Sequence, residues 1–585
     1  MKSRITHIYG SLTPDVLVAV WLAVWWLLNI IEAGCTELAN DEAYYHLFAL
    51  QPAWGYFDHP PVTAILVWLG EKLFADELGV RFFFTVLQPL YLYIFWRTIR
   101  PADATHRDAA LFTMICAAML VLQLYGFIAV PDGPLMFFTA LFLLTFKRFT
   151  EERRAAWLPL GLTLGLLALS KYHGALVLIF ALAANAGLFL RRPRLIGRLL
   201  LAGAVAAAVI TPHLLWQYRH DWASFAYHLS GRNGYFEISN ITDFLANMLV
   251  VFSPFYVPLW VQAYRKVKPA TPVERTLWLY PVAFIGFFLL TSLRGYVQPQ
   301  WAIVAVFGLV WLLFSYARTH VRTRRYVMRA GWFTIALVAI VRIEMIFNPI
   351  GLKFEVFDNH TSYARIADEA AGRPVIFDSK YAVAAKYLYY TGREAFSQPN
   401  VSHRTSQWQY RNDDETFVGR DVIVEVDPAM YRSSSEAARL HTIHMDNGKD
   451  FHYVEVNDFH PTRKVEITPE GLDLPETVHG GETLHFTLHI RNPYPYPIVV
   501  DGQNYILQML WGWRKQQYLF FPLTQGFTLP AEGTCDVECS FVVPDNLREQ
   551  PYAVGFAVRG RDMYTWFNGK SLRTQFKARK DQNPQ

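Results

Sequence analysis

Through roughly the first 350 positions, apolar residues run in long, nearly unbroken stretches separated by short polar segments. A helix needs roughly 20 such residues to cross a bilayer. Eleven segments are candidates, at 14–34, 80–98, 108–128, 132–149, 156–170, 172–190, 199–216, 242–263, 277–293, 300–316 and 330–348. The pattern then changes. Residues 351–465 alternate helical "SYARIADEAAG" and "SKYAVAAKYLYY" with strand-like "RPVIFD" and "RDVIVEVD", which predicts a small α/β unit. From 466 to 585 the runs "ETLHFTLHIRN", "YPIVVDGQNYILQMLW", "CDVECSFVVP" and "YAVGFAVRG" alternate apolar and polar positions between Pro, Gly and Asn turns, the pattern of a β-sandwich. The last residues, "ARKDQNPQ", read as a frayed tail. The fold class predicted is therefore a polytopic α-helical membrane protein over 1–350, followed by an α/β unit and a C-terminal β-sandwich.

Composition agrees. Of 585 residues, 53% are hydrophobic and 16% aromatic, too apolar for an ordinary soluble protein of this length. Lys and Arg are sorted by side. Each inter-span segment on the side of the N-terminus holds two to five of them, and each on the other side holds at most two. The positive-inside rule thus puts the N-terminus in the cytoplasm, and an odd number of spans puts the C-terminal units outside. The net charge of +5 reflects this sorting rather than a nucleic-acid footprint. "EAGC" at 32–35 resembles a lipoprotein signal except for the acid where an aliphatic residue belongs, and the first span lacks a small-residue cleavage pattern. Cys535 and Cys539 lie four apart on a predicted strand, about 13 Å between α-carbons and beyond disulfide reach.

The outer segments collect the polar chemistry. The first carries Asp41, Glu42, Asp58 and His59 among Tyr44, Tyr45, Trp54 and Tyr56; the second has Asp132 in "AVPDGPL"; the third has Lys171 and His173 in "LSKYHGA". The fourth has His213, Arg219, His220, Asp221 and Arg232, and the fifth Arg294 and Gln298. Such a set suits group transfer at the lipid–water boundary. Asp41 or Glu42 would take a proton from an acceptor hydroxyl, and His59, Lys171, Arg219 or Arg294 would hold a phosphate as negative charge grows on it. Tyr44, Tyr45 and Tyr56, with Asp58, Asp132 and His173, are candidates to touch substrate, the rings by stacking on a sugar face. Plain structural roles compete: Asn40 as a helix cap with Asp41 and Glu42 in the first turn, the aromatics as an interfacial belt, Pro60–Pro61 as a helix start, Lys171 and Arg294 as snorkelling anchors, Asp132 as a turn residue, and the histidines as satisfied core groups. The gathering of carboxylates and bases on one side argues against independent anchors.

The stretches "NDEAYYHLFAL", "WGYFDHPPVTAILVWLGEKLFADELGVRFF", "PDGPLMFFTALFLL", "LSKYHGALVL" and "HLLWQYRHDWASFAYH" resemble the bacterial branch of glycosyltransferase family 39, within the GT-C superfamily, which includes protein O-mannosyltransferase-like and lipid A aminoarabinose transferase-like enzymes. The resemblance spans roughly 10–350, and "VIFDSKYAVAAKYLYYTG" is similar to the outer domain that often follows. It implies a GT-C fold in a bacterial inner membrane with periplasmic C-terminal domains. It also implies a polyprenyl-phosphate sugar donor, inversion at the anomeric carbon, Asp41 as catalytic carboxylate and Glu42 as its support. Two positions depart from the lipid A transferase pattern. Tyr44 stands where Arg is common and His59 where Lys is common, so Lys171, Arg219 or Arg294 becomes the alternative phosphate contact. The sandwich lies outside the core family pattern.

A secondary transporter or lipid-linked-sugar translocase, and a membrane-anchored glycan-binding protein, are the rival classes. Charges are nearly absent from span centres, where transporters place their sites, and eleven spans exceed what an anchor needs. No cofactor is required by this reading, and no dense carboxylate or histidine cluster indicates a metal. The partners expected are the lipid-linked donor, an envelope lipid, glycan or protein acceptor, and membrane lipid, with no nucleic acid.

Overall fold

The computed structural model describes residues 12–231, 236–431, 433–470, 472, 474, 476–513, 517–523 and 526–578. Lys2, Arg4, Arg232 and the tail from 579 onward lie outside the described residues. Two compact units divide the chain, Met1–Phe357 and Asp358–Gln585.

In the first unit every predicted apolar segment falls on helix, but the lengths differ from expectation. Five helices among the described residues are long and apolar enough to cross a bilayer: Pro14–Cys35, Asp76–Ile99, Pro193–Arg219, Pro272–Ser292 and Val321–Phe347. The pair Ile238–Val251 and Pro254–Lys266, bent by 84°, makes a sixth if it counts as one span. Thr13 and Thr271 begin two of these helices by accepting hydrogen bonds from Val16 N and Glu274 N, each with Pro at the next position. The predicted segments 108–128, 172–190 and 242–263 are each interrupted, for local reasons. Met119 is extended, and the Gln123 amide caps the Ala117 carbonyl at 2.6 Å. Asn185 donates to Ala181 O, Pro272 O and Thr276 Oγ1 within 3.1 Å, which draws the chain out of helix toward a neighbour. Ser253 adopts a left-handed conformation (φ 76°) ahead of Pro254.

Helices Trp157–Ser170 and Pro193–Arg219 approach closely because Gly161 and Gly165 leave room. A β-carbon at Gly161 would lie 2.5 Å from Ala202 O, and one at Gly165 2.6 Å from Val209 Cβ. Small residues at a four-residue spacing allow this contact in membranes. The first outer segment is itself helical at Asn40–Ala49 and Val62–Glu71, the second beginning after Pro60–Pro61 as expected.

The second unit carries a mixed sheet of order β2-β1-β3-β5-β4, formed by β1 (Val375–Asp378), β2 (Ala395–Gln398), β3 (Val422–Glu425), β4 (His441–His444) and β5 (Asp450–Val456). β1 runs parallel to β2 and β3, and β5 antiparallel to β3 and β4. Helices Asn359–Ala370 and Tyr381–Thr391 coincide with the predicted helical stretches. Among the described residues beyond 465 the regular elements are strands, in sheets of five, three and two around a core that includes Trp511, Phe486 and Phe556. Cys535 is half-buried and Cys539 buried on one strand of that sandwich, both as free thiols.

Candidate active site

The site is organised by one residue that the sequence pattern does not single out. Arg81, one and a half turns into helix Asp76–Ile99, is 1% exposed. A buried guanidinium must be paired and hydrogen-bonded, and Glu42 supplies the charge. Arg81 Nε donates to Glu42 Oε1 at 2.7 Å and Nη2 to Oε2 at 2.5 Å. The remaining guanidinium hydrogens go to the carbonyls of Ala33, Thr36 and Glu37 and to Thr36 Oγ1. Glu42 accepts two further bonds, from Ala39 N and Ala129 N, each 2.9 Å. The Ala39 bond sets the start of the helix. Asn40 is therefore its first residue rather than its cap, and the Asn40 amide donates to the carboxylate of Glu355.

With four donors around it and no exposure, the Glu42 carboxylate is fully committed. It fastens the first outer segment to helix Asp76–Ile99 and to the 125–131 turn. Adjacent helical residues point about 100° apart, so Asp41 faces elsewhere and is partly exposed. The charges of Asp41 and Asp132 and the phenol of Tyr296 all act on the Tyr125 hydroxyl, which places residues from the first, second and fifth outer segments in one neighbourhood. Lys171 joins them from the third: its Nζ donates to Asp132 Oδ1 at 2.7 Å and Oδ2 at 2.9 Å, and both side chains are buried. His173 packs its ring on Phe288 and Trp301, 5.1 and 5.4 Å between centroids.

A second network ties in the fourth segment. His213 joins Trp54 O (2.7 Å) to the Tyr172 hydroxyl (3.1 Å), Gln217 links Tyr172 to Ser224, and Ser224 Oγ donates to Tyr56 O at 2.8 Å. His228 lies 2.9 Å from Asp58 O, and His59 sits between the rings of Tyr45 and His228. His213, a structural candidate in the sequence, has the structural place here.

Some expected substrate contacts lie elsewhere. Tyr44 and Tyr56 are each 1% exposed and pack on Phe48 from two sides, Tyr56 stacked at 4.4 Å. Tyr56 also accepts from Ala53 N through its hydroxyl. Those rings form the loop's own core, because an aromatic segment lying between two helices must bury something, and neither presents a face to a sugar. Tyr45 and Asp58 are buried as well. Arg219 and Arg294 are exposed, and among the described residues no carboxylate pairs with either. Among the described residues no group of three or more His, Cys, Asp or Glu is arranged to hold a metal ion.

Glu32 and Arg342, which the sequence gives no reason to join, pair at 2.5 Å while Arg342 Nη2 reaches Asn29 Oδ1 and Gln123 Oε1. Arg342 and Arg81 both approach the Phe127 ring, at 6.0 and 5.7 Å. An acid in "EAGC" was the available signal for a buried cationic partner. Both residues lie within two turns of the ends of their helices, Cys35 and Phe347.

Comparison with known proteins agrees with this architecture. Across 76% of this chain and 98% of the other, the fold superposes on the crystal structure of apo ArnT from Cupriavidus metallidurans with a TM-score of 0.56 at 14% identity. The same protein bound to undecaprenyl phosphate gives 0.56 at 13% identity, over 75% and 97%. Residues 58–216 match the family model described as dolichyl-phosphate-mannose-protein mannosyltransferase. The fold is thus similar to that of ArnT, and residues 58–216 resemble the mannosyltransferase family model. Among curated proteins it is similar to the lipid A galacturonosyltransferase RgtD of Rhizobium johnstonii, 26% identical over 49% of this chain and 63% of that one. It also matches the lipopolysaccharide core galacturonosyltransferase RgtA of the same organism, 28% identical over 35% and 41%. The chain therefore spans less than two thirds of the length of either relative.

Proposed function

We propose that this protein is an inverting glycosyltransferase of the inner membrane that moves one sugar from a polyprenyl-phosphate donor to a periplasm-facing acceptor, with lipid A the leading candidate. The observation that carries the reading is the division of labour in the Asp41–Glu42 pair. Glu42 is locked by Arg81, while Asp41 stands partly exposed and near enough to Tyr125 to act on its hydroxyl, as Asp132 of the Lys171 pair also does. Asp41 accepts the proton of the acceptor hydroxyl as that oxygen attacks the anomeric carbon. The bond from that carbon to the phosphate oxygen breaks in line, and the electron pair leaves with the lipid phosphate. Single displacement inverts the carbon.

Growing charge on the departing phosphate calls for cations aimed at it. Arg219 and Arg294, exposed and without a carboxylate partner among the described residues, fit that need better than Lys171, whose charge Asp132 already offsets. Support for lipid as donor and acceptor comes from the fold shared with a protein crystallised with undecaprenyl phosphate and from similarity to lipid A and core galacturonosyltransferases.

The test compares the envelope of a strain lacking the protein with the same strain carrying wild type or Asp41→Asn at equal abundance. Mass spectrometry of lipid A, core, glycans and glycoproteins should find one species that gains a single sugar mass with wild type only. Restoration by both proteins would remove Asp41 from the mechanism, and no change with either would remove the transferase reading.

A further inference from the structure

The far ends of the same helices form a recess that the transfer reaction does not use. Helix Asp76–Ile99 carries Arg81 at the candidate site and Arg97 sixteen residues later, about 24 Å along the axis. Helix Asp132–Thr150 carries Asp132 at the site and Lys147 about 22 Å away. At this distal end, which the positive-inside rule assigns to the cytoplasm, an open cavity of about 1050 Å³ is lined by Arg97, Lys147, Arg148, Arg153 and Arg154 against a single carboxylate, Glu151.

A basic inner loop is expected of any membrane protein; cations converging on one cavity are not. The convergence has a local cause. Glu152 and Ala155 take left-handed backbone conformations, φ 56° and 55°, and Arg153 N bonds back to Arg148 O at 3.1 Å. The turn so made brings Arg148, Arg153 and Arg154 around the mouth. Three of the cations have protein partners: Lys147 donates to Thr98 O at 3.0 Å, Arg97 approaches Asp15 at 3.7 Å, and Arg153 meets Glu151 at 3.4 Å. Among the described residues no carboxylate pairs with Arg148 or Arg154. The side walls are apolar, with Ile94, Leu144 and Leu158.

We infer that this recess binds the phosphate of an anionic phospholipid of the cytoplasmic leaflet. Guanidinium forks suit phosphate oxygens, an anion relieves the repulsion among five clustered cations, and basic pockets between transmembrane helices on this side take acidic headgroups. The apolar wall receives the start of the acyl chains. The cavity is large enough for a headgroup with its glycerol, since small-molecule sites run to about 300–1,000 Å³.

Full-length protein in detergent, delipidated and titrated with cardiolipin or phosphatidylcholine, tests this by native mass spectrometry. Wild type should bind cardiolipin in preference to phosphatidylcholine. Arg148→Gln with Arg154→Gln should lose about twenty-five-fold in cardiolipin affinity, which is about fivefold for each cation removed. Arg322→Gln with Arg325→Gln, which removes charge from the inner end of another helix, should leave it unchanged. If the first double variant aggregates, Arg148→Lys with Arg154→Lys takes its place and should lose less, because charge remains while the fork is gone. Equal affinity for the two lipids, or undiminished binding by the substituted protein, would overturn the assignment. So would displacement of cardiolipin by equimolar inorganic phosphate, since the ligand would then be a free anion; survival of the complex under that challenge supports the lipid.

Discussion

Arg81 grips Glu42 by both carboxylate oxygens, at 2.7 and 2.5 Å, with neither side chain open to solvent. The pair fixes where the first outer segment lies and therefore which way Asp41 faces. Removing one member strands the other, at about 3–5 kcal/mol for a buried pair. Arg81→Gln should lower the unfolding temperature of the purified protein and abolish transfer at once. Glu42→Gln should do the same less severely, since its amide still accepts from Ala39 N or Ala129 N. An unchanged melting curve for Arg81→Gln would show that the pair does not hold the segment.

The contact between Lys171 and Asp132 invites a double-mutant cycle. Lys171→Met and Asp132→Asn should each destabilise, because each leaves a buried charge alone. The double variant should lose less than the sum of the two, with a coupling of about 1–3 kcal/mol. Additive losses would mean that the two charges act independently.

Acidity gives a third handle in the second unit. Burial holds the Glu425 carboxyl above the usual carboxylate range, with nearby Lys380 opposing the shift. Asp378, at the end of the neighbouring strand, is raised for the same first reason, and the amide of Asn400 opposes it. A raised carboxyl ionises first in the unfolded chain. Its stabilising contribution is complete below the ordinary carboxylate range and is lost as pH climbs through the raised value. Hydrogen exchange across 375–425, wild type against Glu425→Gln at matched pH from about 4 to about 7, should show the variant gaining relative protection as pH rises. A constant ratio would contradict this.

The sandwich and the mixed sheet share hydrogen bonds. Asp562 accepts from Arg439 Nη1 and Nη2 (3.1 and 2.6 Å) and from Tyr431 Oη (2.8 Å), and Val401 N donates to Thr565 O at 3.0 Å. Asp562→Asn should cost about 1.5–3 kcal/mol, the worth of bonds to a charged group. Ending the chain after 465 should expose 395–440 to protease. Resistance of that stretch in the truncated protein would show that the α/β part stands alone.

Much of the membrane unit was legible because lipid demands long apolar helices, and the strands because period-two alternation survives in "ETLHFTLHIRN". The breaks at Met119, Asn185 and Ser253 were not, since each depends on a hydrogen bond or backbone conformation that appears only in the folded chain. Asp41 and Glu42 stood out as a pair, yet their separate positions depend on Arg81, 39 residues beyond Glu42. Tyr44 and Tyr56 show the same limit. An aromatic in a loop can be a platform or a core residue, and composition does not distinguish them.

In the proposed mechanism Asp41 takes the acceptor's proton while Glu42 only holds the scaffold. Purified wild type and Asp41→Asn, given a synthetic polyprenyl-phosphate sugar and lipid A, can be compared in single-turnover transfer alongside donor binding and melting temperature. The substituted protein should melt and bind donor like wild type and transfer about 10²–10⁴-fold more slowly, the usual worth of a general base. Transfer at the wild-type rate by a correctly folded Asp41→Asn protein would contradict the claim.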